Sequence, residues 1–201
     1  MNLAEMRTLV RRDLKDEDSS SYRWQDGEID RAIQRALLEL SRYVPREMKT
    51  TIATTDGSRE VDISSLTDRI SVDRVEFPVD ETPRCFQRFA VYQDTLTLIG
   101  GDEGDGTDCC IYWSKVHTLD AASSTVPAYL EDVLALGAAA YAVLALAQYQ
   151  TDTAGIGGQR ADTDYHNWGR AMLRDFIRAL KRWGRHRKLK TSQFYQGNNY
   201  E

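Results

Sequence analysis

The stretch VLALGAAAYAVLALA, Val133 to Ala147, constrains this chain more than any other. An apolar segment of this kind must leave water, into either a bilayer or a protein core. It is 15 residues long, whereas a membrane span takes about 20. Glu131 and Asp132 press on its N-terminal edge, and Gln148 ends it. The segment therefore predicts a helix that is buried nearly all round, the central helix of a bundle. That helix begins near Pro127, an allowed first-turn residue, and runs to about Gln150. Its small residues, Gly137 to Ala140, let neighbours approach closely.

A buried central helix needs amphipathic neighbours, and the chain supplies three. In the first, about Asn2 to Leu14, Leu3, Met6, Val10 and Leu14 share a face. Asn2 is its expected N-cap. A polar loop, KDEDSSSYR, follows. The second helix runs from about Asp26 to Val44, with an apolar stripe of Ile29, Ile33, Ala36, Leu37 and Leu40. Asp26 is its expected cap, Pro45 stops it, and Trp24 is placed to pack back on it as a hydrophobic staple. The loop TDTAGIGGQ separates the central helix from the fourth, about Asp162 towards Lys188. Trp168, Met172, Phe176, Ile177, Leu180 and Trp183 mark one side of that helix, and Arg170, Arg174 and Arg178 recur on another.

Between the second and third helices the period changes to two. KTTIATTDGSREVDI alternates around Asp56-Gly57, a hairpin signal. RISVDRVEF and RFAVYQDTLTLIG add further alternating runs, and GGDEGDGTD leads into a last strand, CCIYWSKVHTL. No strand alternates with a helix, so the class is α+β. The expected architecture is a four-helix bundle-like body with a small, mostly antiparallel β insertion between helices 2 and 3, and an extended C-terminal tail. Residues 1–45 and 120–190 would form the helical body, 46–119 the insertion and 191–201 the tail.

The residue types that carry chemistry are scattered. Cys85, Cys109 and Cys110 are odd in number and form no C-x-x-C, which argues against disulfides and zinc and for a reducing compartment. His117, His166 and His186 have no neighbour at metal-ligand spacing. No nucleophile elbow, Walker A loop or dinucleotide fingerprint is present. The loop GGDEGDGTD carries Asp102, Glu103, Asp105 and Asp108. Its oxygens suit a hard cation, but the spacing departs from the EF-hand pattern. A solvated loop, able to contact a neighbouring subunit or a tail component, is the expected role. Neither an enzyme nor a cofactor is indicated.

Charge is the sharper signal. The chain is acidic, with a formal net charge of -5. Yet Arg170 to Lys190 hold nine Lys or Arg against one acid, Asp175, which is a local +8 and leaves -13 elsewhere. The dipole at a helix C-terminus favours a cation or two, not six between Lys181 and Lys190. Such a run points to a partner, either the phosphates of DNA or an acidic protein surface. After it, TSQFYQGNNYE has no periodicity, but Phe194, Tyr195 and Tyr200 are large anchors on a segment that can order on a partner.

Three stretches carry a family resemblance: LAEMRTLVRRDL (Leu3 to Leu14), WQDGEIDRAIQRALLELSRYVP (Trp24 to Pro45) and VPAYLEDVLALGAAAYAVLALAQY (Val126 to Tyr149). The fourth helix, with Trp168 and a following FIRAL, fits as well. Together they resemble head-to-tail adaptor (connector) proteins of tailed bacteriophages. The β-rich middle resembles nothing in that pattern. Gln25 stands where relatives often have Ser or Thr, which leaves Asp26 as the cap.

The resemblance implies a structural, non-enzymatic neck protein. Such adaptors form a homo-oligomeric ring, usually of twelve subunits, beneath the portal of the capsid. The ring extends the DNA channel and presents a surface to the tail or to further neck proteins. DNA would pass through the lumen without sequence-specific binding, and no membrane is involved. The protein would be made in the bacterial host cytoplasm and end in the virion. The portal grip commonly falls on the C-terminal region, here Arg185, Arg187, Lys188, Lys190, Phe194, Tyr195 and Tyr200. The alternative is a DNA-binding protein that uses the basic C-terminal helix.

Overall fold

The computed structural model describes residues 1–100, 103–153 and 159–193, with side chains described to residue 149 and again over 164–185. The chain forms two compact units. One is Met1–Val44 together with the chain from His117 onward, and the other is Pro45–Val116.

The first unit is helical. It comprises α1 (Leu3–Leu14), α2 (Asp26–Tyr43), α3 (Glu131–Thr153) and α4 (Gln159–Gln193), with a single 3₁₀ turn, Ala128–Leu130, leading into α3. The other three helices all pack on α3. By length and composition Ala128–Tyr149 could cross a membrane, but here its apolar surface is the centre of the core. Leu130, Leu134, Ala138 and Val143 are buried against Ile33 and Leu40 of α2, Val10 of α1 and Phe176 of α4. Each large side chain so buried contributes about 1.5–3 kcal/mol. Close approach depends on Gly137, where a Cβ would lie 2.6 Å from the Phe176 ring.

The start of α1 follows expectation. Asn2 Oδ1 accepts from the Glu5 amide at 3.0 Å, and the Glu5 carboxylate accepts from the Asn2 amide at 2.8 Å. The start of α2 does not. Gln25 holds the N-cap position, its amide donating to Glu28 at 2.7 Å. Asp26 is the first helical residue, and its carboxylate accepts from Arg11 at 2.6 Å. Trp24 is buried and its indole N–H donates to the Ala142 carbonyl at 3.1 Å, so it anchors the loop to α3.

The second unit corrects the expected architecture. It is not a small insertion in a helical bundle. It is a six-stranded sheet with a core of its own, and it forms a major part of the chain. The strands are β1 (Arg46–Ala53), β2 (Glu60–Asp62), β3 (Arg69–Glu76), β4 (Phe86–Tyr92), β5 (Thr95–Ile99) and β6 (Asp108–Lys115). Every pairing is antiparallel, in the order β1-β6-β3-β4-β5-β2. Val61, Phe77, Leu96, Leu98, Ile111 and Trp113 fill its interior.

The hairpin expected at Asp56-Gly57 does not form. Gly57 does turn the chain, with φ at +70°, but β1 pairs with β6 and β2 with β5, at opposite ends of the strand order. Only residues 54–59 join these two strands, so the sheet must curl until its edges draw near. The curl is pinned by backbone bonds. The Gly57 amide donates to the Gly104 carbonyl at 2.7 Å, and the Gly104 amide donates to the Ser58 carbonyl at 2.9 Å. A Cβ on Gly104 would lie 2.5 Å from the Thr55 carbonyl oxygen. The tight hairpin lies instead at Gln93-Asp94, where Tyr92 pairs with Thr95.

Candidate assembly interface

The fourth helix ends differently from its expected form. It runs on through Gly184 to Gln193, past the expected end near Lys188. Gly184 is there for packing. A Cβ would lie 3.1 Å from the Tyr43 carbonyl oxygen, so the small residue lets α4 approach the end of α2. Phe176 and Leu180 are fully buried, which fixes which side faces the core. Trp183 lies at the margin, its ring 4.9 Å from that of Tyr129.

The opposite side is basic. Arg170, Arg174, Arg178, Lys181, Arg182 and Arg185 border an open groove whose apolar floor is Leu173 and Ile177. Spacings of three and four residues keep these cations on one face. Arg178 reaches Asp175 at 3.3 Å, an exposed pair one turn away. The other five have no ion-pair partner among the described residues. Of the expected portal-facing residues, Arg185 is exposed on this face. The backbone of Arg187, Lys188 and Lys190 continues α4, while their side chains, and all of Phe194, Tyr195 and Tyr200, lie outside the described residues.

The acidic loop is only partly brought together. Asp102 lies outside the described residues. Glu103 is exposed and 3.5 Å from Arg59. Asp105 is turned back on its own loop, accepting from the Thr107 amide at 2.9 Å and its hydroxyl at 2.5 Å. Those two bonds hold its carboxyl below the ordinary range. Asp108 opens β6 opposite Ala53. Among the described residues no group of three or more His, Cys, Asp or Glu is placed to hold a metal. The clamp between Gly57 and Gly104 adds a neighbour that pattern reading overlooked, since it sets Asp56 beside Glu103 and Asp105 on one acidic tip.

Cys109, Cys110 and His117 are buried among structural surroundings. Cys85, Cys109 and Cys110 are free thiols. Burial pushes Cys109 up to about 11, so it is a protonated core residue near neutral pH. His117 is buried just after the chain returns from the β unit. Its ring nitrogens lie 2.9 Å from the Thr125 carbonyl and 3.0 Å from the Val44 carbonyl, and its amide donates to Ser41 Oγ at 3.0 Å. One side chain thus ties the chain just past α2, at Val44, to the segment at Thr125 within the helical unit.

Glu76 and Tyr112 form another polar cluster, on the second face of β6. Tyr112 donates to Glu76 at 2.7 Å and accepts from Arg84 at 2.8 Å. Burial and the bond to Glu76 drive the phenol pKa up. Glu76, Tyr112 and Arg84 are thus engaged with one another within the β unit.

The family comparison agrees with the helical resemblance. The family model described as SU10 adaptor protein matches residues 1–189, which takes in both units. No curated protein matches. Among solved structures, a chain from "Neck of empty GTA particle computed with C6 symmetry" is 13% identical and covers 70% of this chain and 77% of its own length, with a TM-score of 0.30. The chain belongs to the SU10 adaptor protein family, as the resemblance of its helices to phage head-to-tail adaptors led us to expect.

Proposed function

We propose that this adaptor forms a closed ring beneath the portal of a tailed phage, extends the DNA channel and links capsid to tail. The family match across residues 1–189 carries this reading, because it embraces the helical and the β unit together. The role is structural and requires no catalysis or cofactor. Ring contacts are heterologous and close by rotation. We take twelve subunits as the working copy number, from the resemblance. The protein would be made in the host cytoplasm and reside in the neck of the virion.

The C-terminal end grips the portal in this proposal, through Arg185, Arg187, Lys188, Lys190, Phe194, Tyr195 and Tyr200. Each grip is modest, but many copies act at once, and avidity multiplies them. DNA passes the lumen without being held, which suits the -13 carried outside the basic segment. The test is the native mass of the protein mixed with the portal of its own phage, with and without residues 191–201. A defined multi-copy complex that is lost on truncation supports both the role and the grip. Tight DNA binding with no portal complex would replace the adaptor reading by a DNA-binding one.

A further inference from the structure

On the basic face of α4, Arg170, Arg174, Lys181 and Arg182 have no ion-pair partner among the described residues, and the surroundings of that face narrow what could cover them. Several arginines elsewhere in the helical unit are engaged: Arg7 with Asp30 at 2.5 Å, Arg11 with Asp16 at 2.8 Å, and Arg42 with Glu39 at 3.0 Å. Two copies of the α4 face cannot meet each other, since like charges would oppose. A ring, in contrast, needs two different patches on the same chain that complement each other. The β unit supplies one of opposite sign. Asp56, Glu103 and Asp105 are exposed on a tip whose backbone is pinned by the Gly57–Gly104 clamp, with Glu60 exposed just beyond it and Arg59 the nearby cation.

We propose that the α4 face of one subunit receives the acidic tip of the β unit of the next copy in the ring. This rests on the ring reading given above and names the surfaces that close it. The apolar floor of Leu173 and Ile177 favours a protein partner over a phosphate backbone, because apolar side chains gain from burial against protein atoms. A pre-formed tip also costs little ordering entropy on docking. The contact is electrostatic at its rim, so added salt weakens assembly.

The experiment is a charge swap on the full chain, assembled with and without its portal and followed by native mass. One variant reverses the face (Arg174→Glu, Arg178→Glu, Arg182→Glu). A second reverses the tip (Asp56→Lys, Glu60→Lys, Glu103→Lys), and a third combines both. All the changed side chains are exposed, and thermal unfolding checks that each variant stays folded. The expected result is a multi-copy wild type, two variants reduced to the monomer mass, and a combined variant that assembles again. Rings that persist in either single-surface variant overturn the proposal and leave the ring reading standing. A combined variant that stays monomeric overturns the tip as the occupant. Persisting rings that lose salt-sensitive binding of duplex DNA in the face variant assign the cations to DNA instead. A wild type that never assembles, even with portal, sinks the ring reading and this contact with it.

Discussion

Arg11 on α1 and Arg174 on α4 are the same residue on two helices of one bundle, in opposite situations. Arg11 is 6% exposed, donates to Asp16, Asp26 and the Trp24 carbonyl, and lies under the Tyr22 ring at 3.4 Å from its centroid. Arg174 is exposed and unpaired among the described residues. The first cation is consumed by folding, since it organises the polar loop between α1 and α2. The second faces solvent, and in the proposed ring it serves the contact between subunits. The buried cation is matched by protein groups, whereas the exposed row on α4 is left to water or, in the proposed ring, to a partner.

The comparison breaks most visibly at Arg11. Arg11→Ala leaves the Asp16 carboxylate, 7% exposed, without its cation, although the amides of Arg23 and Trp24 still donate to it at 2.7 and 3.2 Å. Removing one member of a buried pair costs about 3–5 kcal/mol. Denaturant unfolding should show that loss, and a change below about 1 kcal/mol would mean that the loop is held by Trp24 rather than by charge.

Acid tests the same cluster more gently. The Asp26 carboxyl is held below the ordinary range, first by the hydrogen bond from Arg11 and then by the nearby charges of Arg11 and Arg7. A carboxyl whose folded pKa is depressed contributes stability above its unfolded value, about 3.9. That contribution is lost as pH falls through the folded value. Wild type should therefore lose stability below about pH 4 more steeply than Asp26→Asn, which is less stable near neutrality. Parallel stability curves for the two proteins across that window would show that Asp26 adds nothing through its charge.

Much of this contrast was legible in the sequence, though unevenly. The helical unit was readable because α3 is apolar nearly all round and its neighbours keep a period near 3.6. The basic segment was readable as a charge imbalance, but its pairing was not, because ion pairs join residues such as Arg11 and Asp26 across a loop. The sheet was misjudged for a physical reason. Alternation in KTTIATTDGSREVDI identifies strands, but a turn residue such as Gly57 does not say whether the flanking strands pair. Here they lie at opposite edges of a curled sheet, and the bonds that pin them come from Gly104, far along the chain. The acidic tip was hidden for the same reason, since Asp56 and Glu103 meet only through that closure.

The smallest expected effect is the most informative about α4. Arg174 has Arg170 and Arg178 four residues away on either side. Like charges at that spacing destabilise a helix by about 0.2–0.5 kcal/mol per pair. Arg174→Gln removes both repulsions and keeps a good helix former, so the folded monomer should gain up to about 1 kcal/mol, less at higher salt. Arg178 already has Asp175, so Arg178→Gln should gain less. A residue whose loss stabilises the monomer yet weakens the assembled particle serves the assembly. If Arg174→Gln instead lowers stability by 1 kcal/mol or more, the cation is engaged within the fold, and its likeness to Arg11 is closer than the exposed surface suggests.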